Sequence, residues 1–192
     1  MPPPSRMLRL FVAASVLLLA GCISLPGAQP VNGLVHVGSP APAAATVPVA
    51  LDNDRMFVTL TFRRPDGRER QALAWVNMGM GGLSLAPGLR QELGDDRPVA
   101  FAIGDMPVIV EAKAVLPATA DDFAQQLGPM PVEAMLPAGV LRQFRVTLDY
   151  AARTLTLAQP SDAAAPGVAV PVQVSEGTGL ISAMASIDGQ PY

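Results

Sequence analysis

From Met56 to Phe62, apolar Met56, Val58, Leu60 and Phe62 interleave with Phe57, Thr59 and Thr61. A period of two predicts a strand with one face turned inward. Pro65-Asp66-Gly67 then predicts a turn, because Pro presets φ and Gly accepts φ > 0. Ala72 to Val76 returns as a second strand. The arginines around that turn (Arg63, Arg64, Arg68, Arg70) read as a solvated hairpin tip. Pro87 to Leu93 places Leu at i and i+4 between an opening Pro and a closing Gly94, which predicts one short helix. Val99 to Ile103 and Val108 to Val115 read as strands around Gly104-Asp105. Thr119 and the adjacent Asp121 and Asp122 predict the capped start of a second short helix ending at Gly128-Pro129. Pro137 to Phe144 reads as a turn or short helix, and Arg145–Tyr150 with Thr154–Ala158 as a hairpin about Ala151-Ala152-Arg153. The expected fold class is mainly β with two short helices.

The N-terminus carries a different pattern. Arg6 and Arg9 precede an apolar run from Leu10 to Ala20, too short for a span of about 20 residues. The run ends in Leu19-Ala20-Gly21-Cys22. This resembles the bacterial lipobox, in which a signal peptidase cuts before the Cys and the thiol receives a diacylglycerol carrying acyl chains such as palmitate. The resemblance implies a signal peptide over 1–21 and lipid attachment at Cys22. Ile23 follows the Cys where an Asp would retain the protein at the inner membrane, so the resemblance implies an outer-membrane anchor facing the periplasm. Residues 22–46, rich in Pro, Ala and Gly, read as a flexible tether, and His36 within it as a poor base with nothing to orient it.

Composition narrows the function classes. The chain has 192 residues, half of them hydrophobic and 15% charged, enough for a packed core. With 17 Gly and 20 Pro, a long helical bundle is excluded. The net charge is −3, and removal of Arg6 and Arg9 leaves 11 basic against 16 acidic groups, which argues against a nucleic-acid surface. One His and one Cys leave no disulfide framework and no zinc-finger ligand set, so neither a metal nor a cofactor is expected. The glycine run at 79–82 lacks the Lys and Ser/Thr that a phosphate cradle requires at P-loop spacing.

The stretch Ala74-Trp75-Val76-Asn77-Met78-Gly79-Met80-Gly81-Gly82-Leu83-Ser84-Leu85 leads an apolar strand into a polar residue, a glycine turn and a second apolar strand. It resembles the active-site stretch of the retropepsin and pepsin-like aspartic proteases, apolar-apolar-Asp-Thr-Gly. The helix ending at Gly94 follows as in bacterial members. Met135-Leu136 is similar to the family's second apolar pair before a Gly. Leu141 to Tyr150, with Thr154-Leu155-Thr156-Leu157, resembles its closing segment. The resemblance covers 47–158 and implies an acid-protease-like closed β-barrel lobe. It also puts Asn77 at the position of the catalytic Asp, Met78 at the Thr and Pro137 at the later Gly. The family's chemistry needs two carboxylates sharing a proton around a water. An amide takes no proton near neutral pH, so no catalytic residue is intact.

Val47-Pro48-Val49-Ala50-Leu51 is echoed by Val170-Pro171-Val172-Gln173-Val174, and Pro65-Asp66-Gly67 by Ile187-Asp188-Gly189 at nearly the same spacing. This reads as a linker over 159–167 and the truncated start of a second, similar lobe over 168–192. Three functions fit these residues. One is a membrane-anchored, catalytically inactive aspartic-protease-like lobe that serves as a partner lobe or as a peptide-binding or structural module. Another is an active aspartic endopeptidase completed by dimerisation or by a second lobe. The third is an unrelated envelope scaffold lipoprotein. The expected partners are the membrane, through the lipid, and a second protease-like lobe or a peptide.

Overall fold

The computed structural model describes residues 33–128, 130–161, 168–175, 181–184, 186–187 and 190–191. Strands β1 (Val35–Val37), β2 (Ala44–Pro48), β3 (Ala50–Asp52), β4 (Arg55–Arg63), β5 (Glu69–Asn77) and β6 (Leu83–Leu85) lead to helix α1 (Pro87–Leu93). Strands β7 (Val99–Ile103) and β8 (Met106–Val110) follow, then a 3-10 turn at Ala112–Ala114 and β9 (Val115–Leu116). Helix α2 (Ala120–Leu127), β10 (Val132–Pro137), α3 (Ala138–Leu141), β11 (Arg145–Asp149) and β12 (Thr154–Ala158) complete the lobe. Further on lie two short hairpins, β13 (Val172–Val174) with β14 (Ile181–Ala183), and β15 (Ser186–Ile187) with β16 (Gln190–Pro191).

The architecture is mainly β, as the alternation predicts. The larger sheet runs β1-β8-β7-β4-β5-β10-β6-β9, with β3 attached to β4, and curls into a half barrel. A second sheet has the order β11-β12-β2. The hairpin turns follow local chemistry. Asn53 and Asp54 both take positive φ (46° and 61°) in the two-residue turn between β3 and β4, a conformation that short polar side chains tolerate. Gly104 (φ 58°) turns β7 into β8, and a side chain there would also meet Val47 Cγ1 at 2.8 Å.

Two cores form on opposite faces of the sheet. Val58, Leu60, Phe62, Ile103, Val110, Leu136, Leu155 and Leu157 belong to the larger. The smaller joins Phe57 to Phe123, Leu127, Val132 and Met135. Phe57 was expected on the polar face of its strand; it is buried instead, because α2 covers that face with Phe123 and Leu127.

The tether expected over 22–46 is corrected from residue 34 on. Leu34 and Val35 are buried, and β1 pairs antiparallel with β8 (Val35 with Val110, Val37 with Val108). Strand β2 pairs with β12, Val47 opposite Leu155 and Ala45 opposite Leu157. The Pro/Ala-rich composition conceals two short strands whose partners lie more than 60 residues away. His36 accordingly sits on an ordered strand, exposed, with Nε2 3.6 Å from a Glu111 carboxylate oxygen. Strand β8 is also shorter than expected, since the chain leaves it at Glu111 for the 3-10 turn.

The signal segment, Cys22 and most of the linker (162–167) lie outside the described residues. So does part of the repeat match, Asp188-Gly189. Where described, the C-terminal segment exposes Val168, Val170, Val172, Val174, Ile181 and Met184.

Candidate functional site

The glycine turn owes its position to an unusual strand order. β10 lies between β5 and β6, parallel to β5 and antiparallel to β6. The chain leaves β5 at Asn77, arches across the end of β10 through residues 78–82, and returns as β6 on the far side. The register sets Met135 beside Trp75, Leu136 beside Val76 and Pro137 beside Asn77. The two apolar pairs that the sequence separates by some sixty residues are therefore neighbours, and the residues that follow them face each other.

Asn77 is half-buried, whereas Met78 and Gly79 are exposed and Pro137 is buried. The Gly79 N–H donates to Asn77 Oδ1 at 3.0 Å, and the Met80 N–H to the Asn77 carbonyl at 3.3 Å. The side chain thus closes a local turn on itself. Gly82 is required by contact: a Cβ there would lie 2.7 Å from Leu116 Cγ and 2.8 Å from the Ala114 carbonyl oxygen. Its bare backbone lets β6 pair with β9, Leu83 beside Val115 and Ser84 beside Leu116. Ser84, paired with Met135 of β10, is buried.

A charged clamp braces the same strands. Val132 pairs with Leu73 and Ala134 with Ala74, so Glu133 is the extra residue of a bulge. Its carboxylate accepts from Arg70 Nη2 at 2.6 Å, while its carbonyl accepts from the Ala86 N–H at 2.8 Å. Arg70 Nε also lies 3.7 Å from Glu92 on α1, and Nη1 donates to the Gln71 carbonyl. Arg70 therefore ties β5, β10 and α1 together and does not belong to the solvated hairpin tip; Arg68, 79% exposed and 3.6 Å from Asp66, does. The sequence signal for the clamp is faint, one Arg and two Glu without fixed spacing.

At the start of α2, Asp122 Oδ2 accepts from the Thr119 N–H at 2.7 Å and from Thr119 Oγ1 at 2.9 Å. Thr119 Oγ1 in turn accepts from the Asp122 N–H at 3.2 Å. This reciprocal cap places the acids where the sequence put them, at a helix start. The backbone bond from Thr119, and then its hydroxyl, hold the Asp122 carboxyl below its ordinary range.

A shallow groove of about 500 Å³ runs between α1 and β9, past Leu85, Pro87, Arg90, Leu116 and Pro117, away from Asn77. Arg90 is held by the carbonyls of Asp95 and Arg97. Among the described residues, no three His, Cys, Asp or Glu side chains gather as for a metal ion, and no helix is long and apolar enough to cross a membrane.

No family model matches the chain, and no curated protein matches it. Among solved structures it is similar to a retropepsin-like aspartic protease from Rickettsia conorii, with 13% identity and a TM-score of 0.38 over 64% of this chain and 92% of that one.

Proposed function

We propose that this chain is a lipid-anchored envelope lipoprotein whose aspartic-protease-like lobe is catalytically silent and serves to bind a peptide or a partner lobe. The observation that carries this reading is the register at the end of β5 and β10. Two apolar pairs run side by side and deliver Asn77 and Pro137 to one place, beneath a glycine turn. In the resembling family that arrangement presents an Asp that activates water. Here the same place holds an amide, which has no proton to exchange near neutral pH. Loss of the general base removes an acid–base contribution of about 10²–10⁴-fold, and the second carboxylate is missing as well. Met78 replaces the hydroxyl of the motif with an exposed thioether. What survives is a shaped, strand-supported turn with hydrogen-bonding capacity and no acid–base pair.

The anchor rests on the sequence: Arg6 and Arg9, the apolar run and Gly21-Cys22. Lipid-attached Cys22 would hold the lobe at a membrane surface, most consistently the periplasmic face of an outer membrane.

The experiment has two arms. The full-length chain, expressed in a diderm bacterium with labelled palmitate, should acquire label that is lost in Cys22→Ala. The purified chain, incubated with a denatured protein between pH 3 and 7, should leave it intact. Cleavage that tracks the purified chain and is abolished in Asn77→Ala would establish an active endopeptidase and overturn the silent-lobe reading.

A further inference from the structure

Strands β13 and β14 form a sheet of their own. Their register sets Val172 opposite Ala183, Gln173 opposite Ser182 and Val174 opposite Ile181. Residues directly opposite share a face, and successive residues alternate between faces. One face of the hairpin is therefore Val172, Val174, Ile181 and Ala183, and the other is Gln173 and Ser182. Among the described residues nothing covers the apolar face: Val172 is 54% exposed, Val174 52% and Ile181 43%. Val168 and Val170 carry the same two-residue period upstream, and both are exposed. A two-stranded hairpin is marginal in water unless its apolar face is covered. Glu176 is the single charged residue from 168 to 187.

We infer that this hairpin lays its apolar face on the lipid bilayer, a second contact beside the acyl anchor that orients the lobe. This rests on the lipid-anchor reading above. The size of the face argues against a second copy of the chain. Three half-exposed side chains present on the order of 200–300 Å², against about 800 Å² per partner in a stable protein interface. A bilayer sets no such minimum, because a lipid on Cys22 already holds the chain beside it, and a weak contact then acts at high effective concentration. The two faces suit a shallow position, with the valines and Ile181 toward the acyl chains and Gln173 and Ser182 toward water. At that depth water still reaches the open strand edges, which the hydrocarbon interior would not allow. With no Lys or Arg from 168 to 187, nothing here attracts an anionic headgroup, so the chemistry recognised is the acyl layer itself.

The test uses the full-length chain, expressed in a diderm bacterium, purified with its lipid and reconstituted into vesicles of phosphatidylethanolamine and phosphatidylglycerol. Cys22 is the one cysteine, and the lipid occupies its thiol, so an introduced cysteine is the one free thiol. Ala183→Cys on the apolar face and Ser182→Cys on the polar face each receive an environment-sensitive fluorophore. Nitroxide-bearing acyl chains should quench the label at 183 about twofold or more over the label at 182, as a difference in depth requires. The quenching should be the same in vesicles without phosphatidylglycerol and in high salt, since no cation takes part. Val174→Asp should abolish it, whereas Gln173→Asp, the same charge on the other face, should leave it in place. Protein that floats with the vesicles while both labels stay unquenched would overturn the hairpin contact and leave the anchor standing. Equal quenching at 182 and 183, or equal loss in the two Asp variants, would show that the apolar face is not what meets the bilayer. Shielding of the label at 183 that appears in detergent and rises with protein concentration would assign the face to a second copy. Protein that does not float with the vesicles would remove the anchor, and this inference with it.

Discussion

Pro137 lies directly across from Asn77 in the parallel pair of β5 and β10, each closing its strand. The ring of Pro137 is buried and its nitrogen carries no hydrogen, so neither residue of the pair brings an ionisable group. Restoring an acid at Asn77 alone supplies one carboxylate where the resembling family's chemistry needs two. Asn77→Asp is therefore expected to show no more cleavage of a denatured protein than the wild type between pH 3 and 7. A rate that rises with the square of protein concentration would mean that two copies join their new carboxylates.

The Arg70 clamp should matter to stability in a way that its neighbours do not. Arg70→Met removes partners from Glu133 and Glu92 at once, and is expected to cost about 1–3 kcal/mol in urea unfolding. Arg68→Met, at an exposed turn, should stay within about 0.5 kcal/mol. Equal effects would show that the clamp is no more than a surface pair.

Helix α2 should loosen in acid through its cap. The Asp122 carboxyl titrates below its ordinary 3.8, its ionised form being favoured by the bonds from Thr119. A depressed folded-state value means a contribution present in full above the unfolded value and lost as pH falls through the folded one. Amide exchange in the first turn of α2 is expected to accelerate below that point, and Asp122→Asn to remove the pH step. Thr119→Ala should raise the Asp122 pKa toward its ordinary range, readable by NMR titration.

Removing residues 1–46 is expected to prevent cooperative folding, because it deletes β1 and most of β2 and leaves β8 and β12 with open edges. A chain beginning at residue 33 should melt as the full-length protein does. A cooperative melt in the shorter chain would show that these strands only decorate the lobe.

What the sequence made readable was chiefly local. Pro65-Asp66-Gly67, the helix between Pro87 and Gly94, the Thr119 cap and the hairpin from Arg145 to Ala158 each carry their signal within a few residues. Strands β1 and β2 were hidden because they are short and set among Gly, Pro and Ala, which have weak β preference, and their pairing depends on Val110 and Leu155 far along the chain. The burial of Phe57 was hidden for the same reason, since it depends on a helix some sixty residues later. The candidate site stands between these cases. The glycine turn after Asn77 was legible, and resemblance to a known motif picked out Met135-Leu136 as a second apolar pair. Only the sheet register brings Pro137 to Asn77, and only the hydrogen bond from Gly79 tells which way the amide faces.

The early entry of the chain into the sheet at β1 sets a working height. With Cys22 carrying the lipid, as proposed, only about a dozen residues separate the acyl chains from Leu34, a leash of roughly 40 Å at full stretch. A tether lasting to residue 46 would have allowed roughly 80 Å. On that proposal the lobe would be confined to a layer close to its own bilayer, and any partner would have to come to that layer.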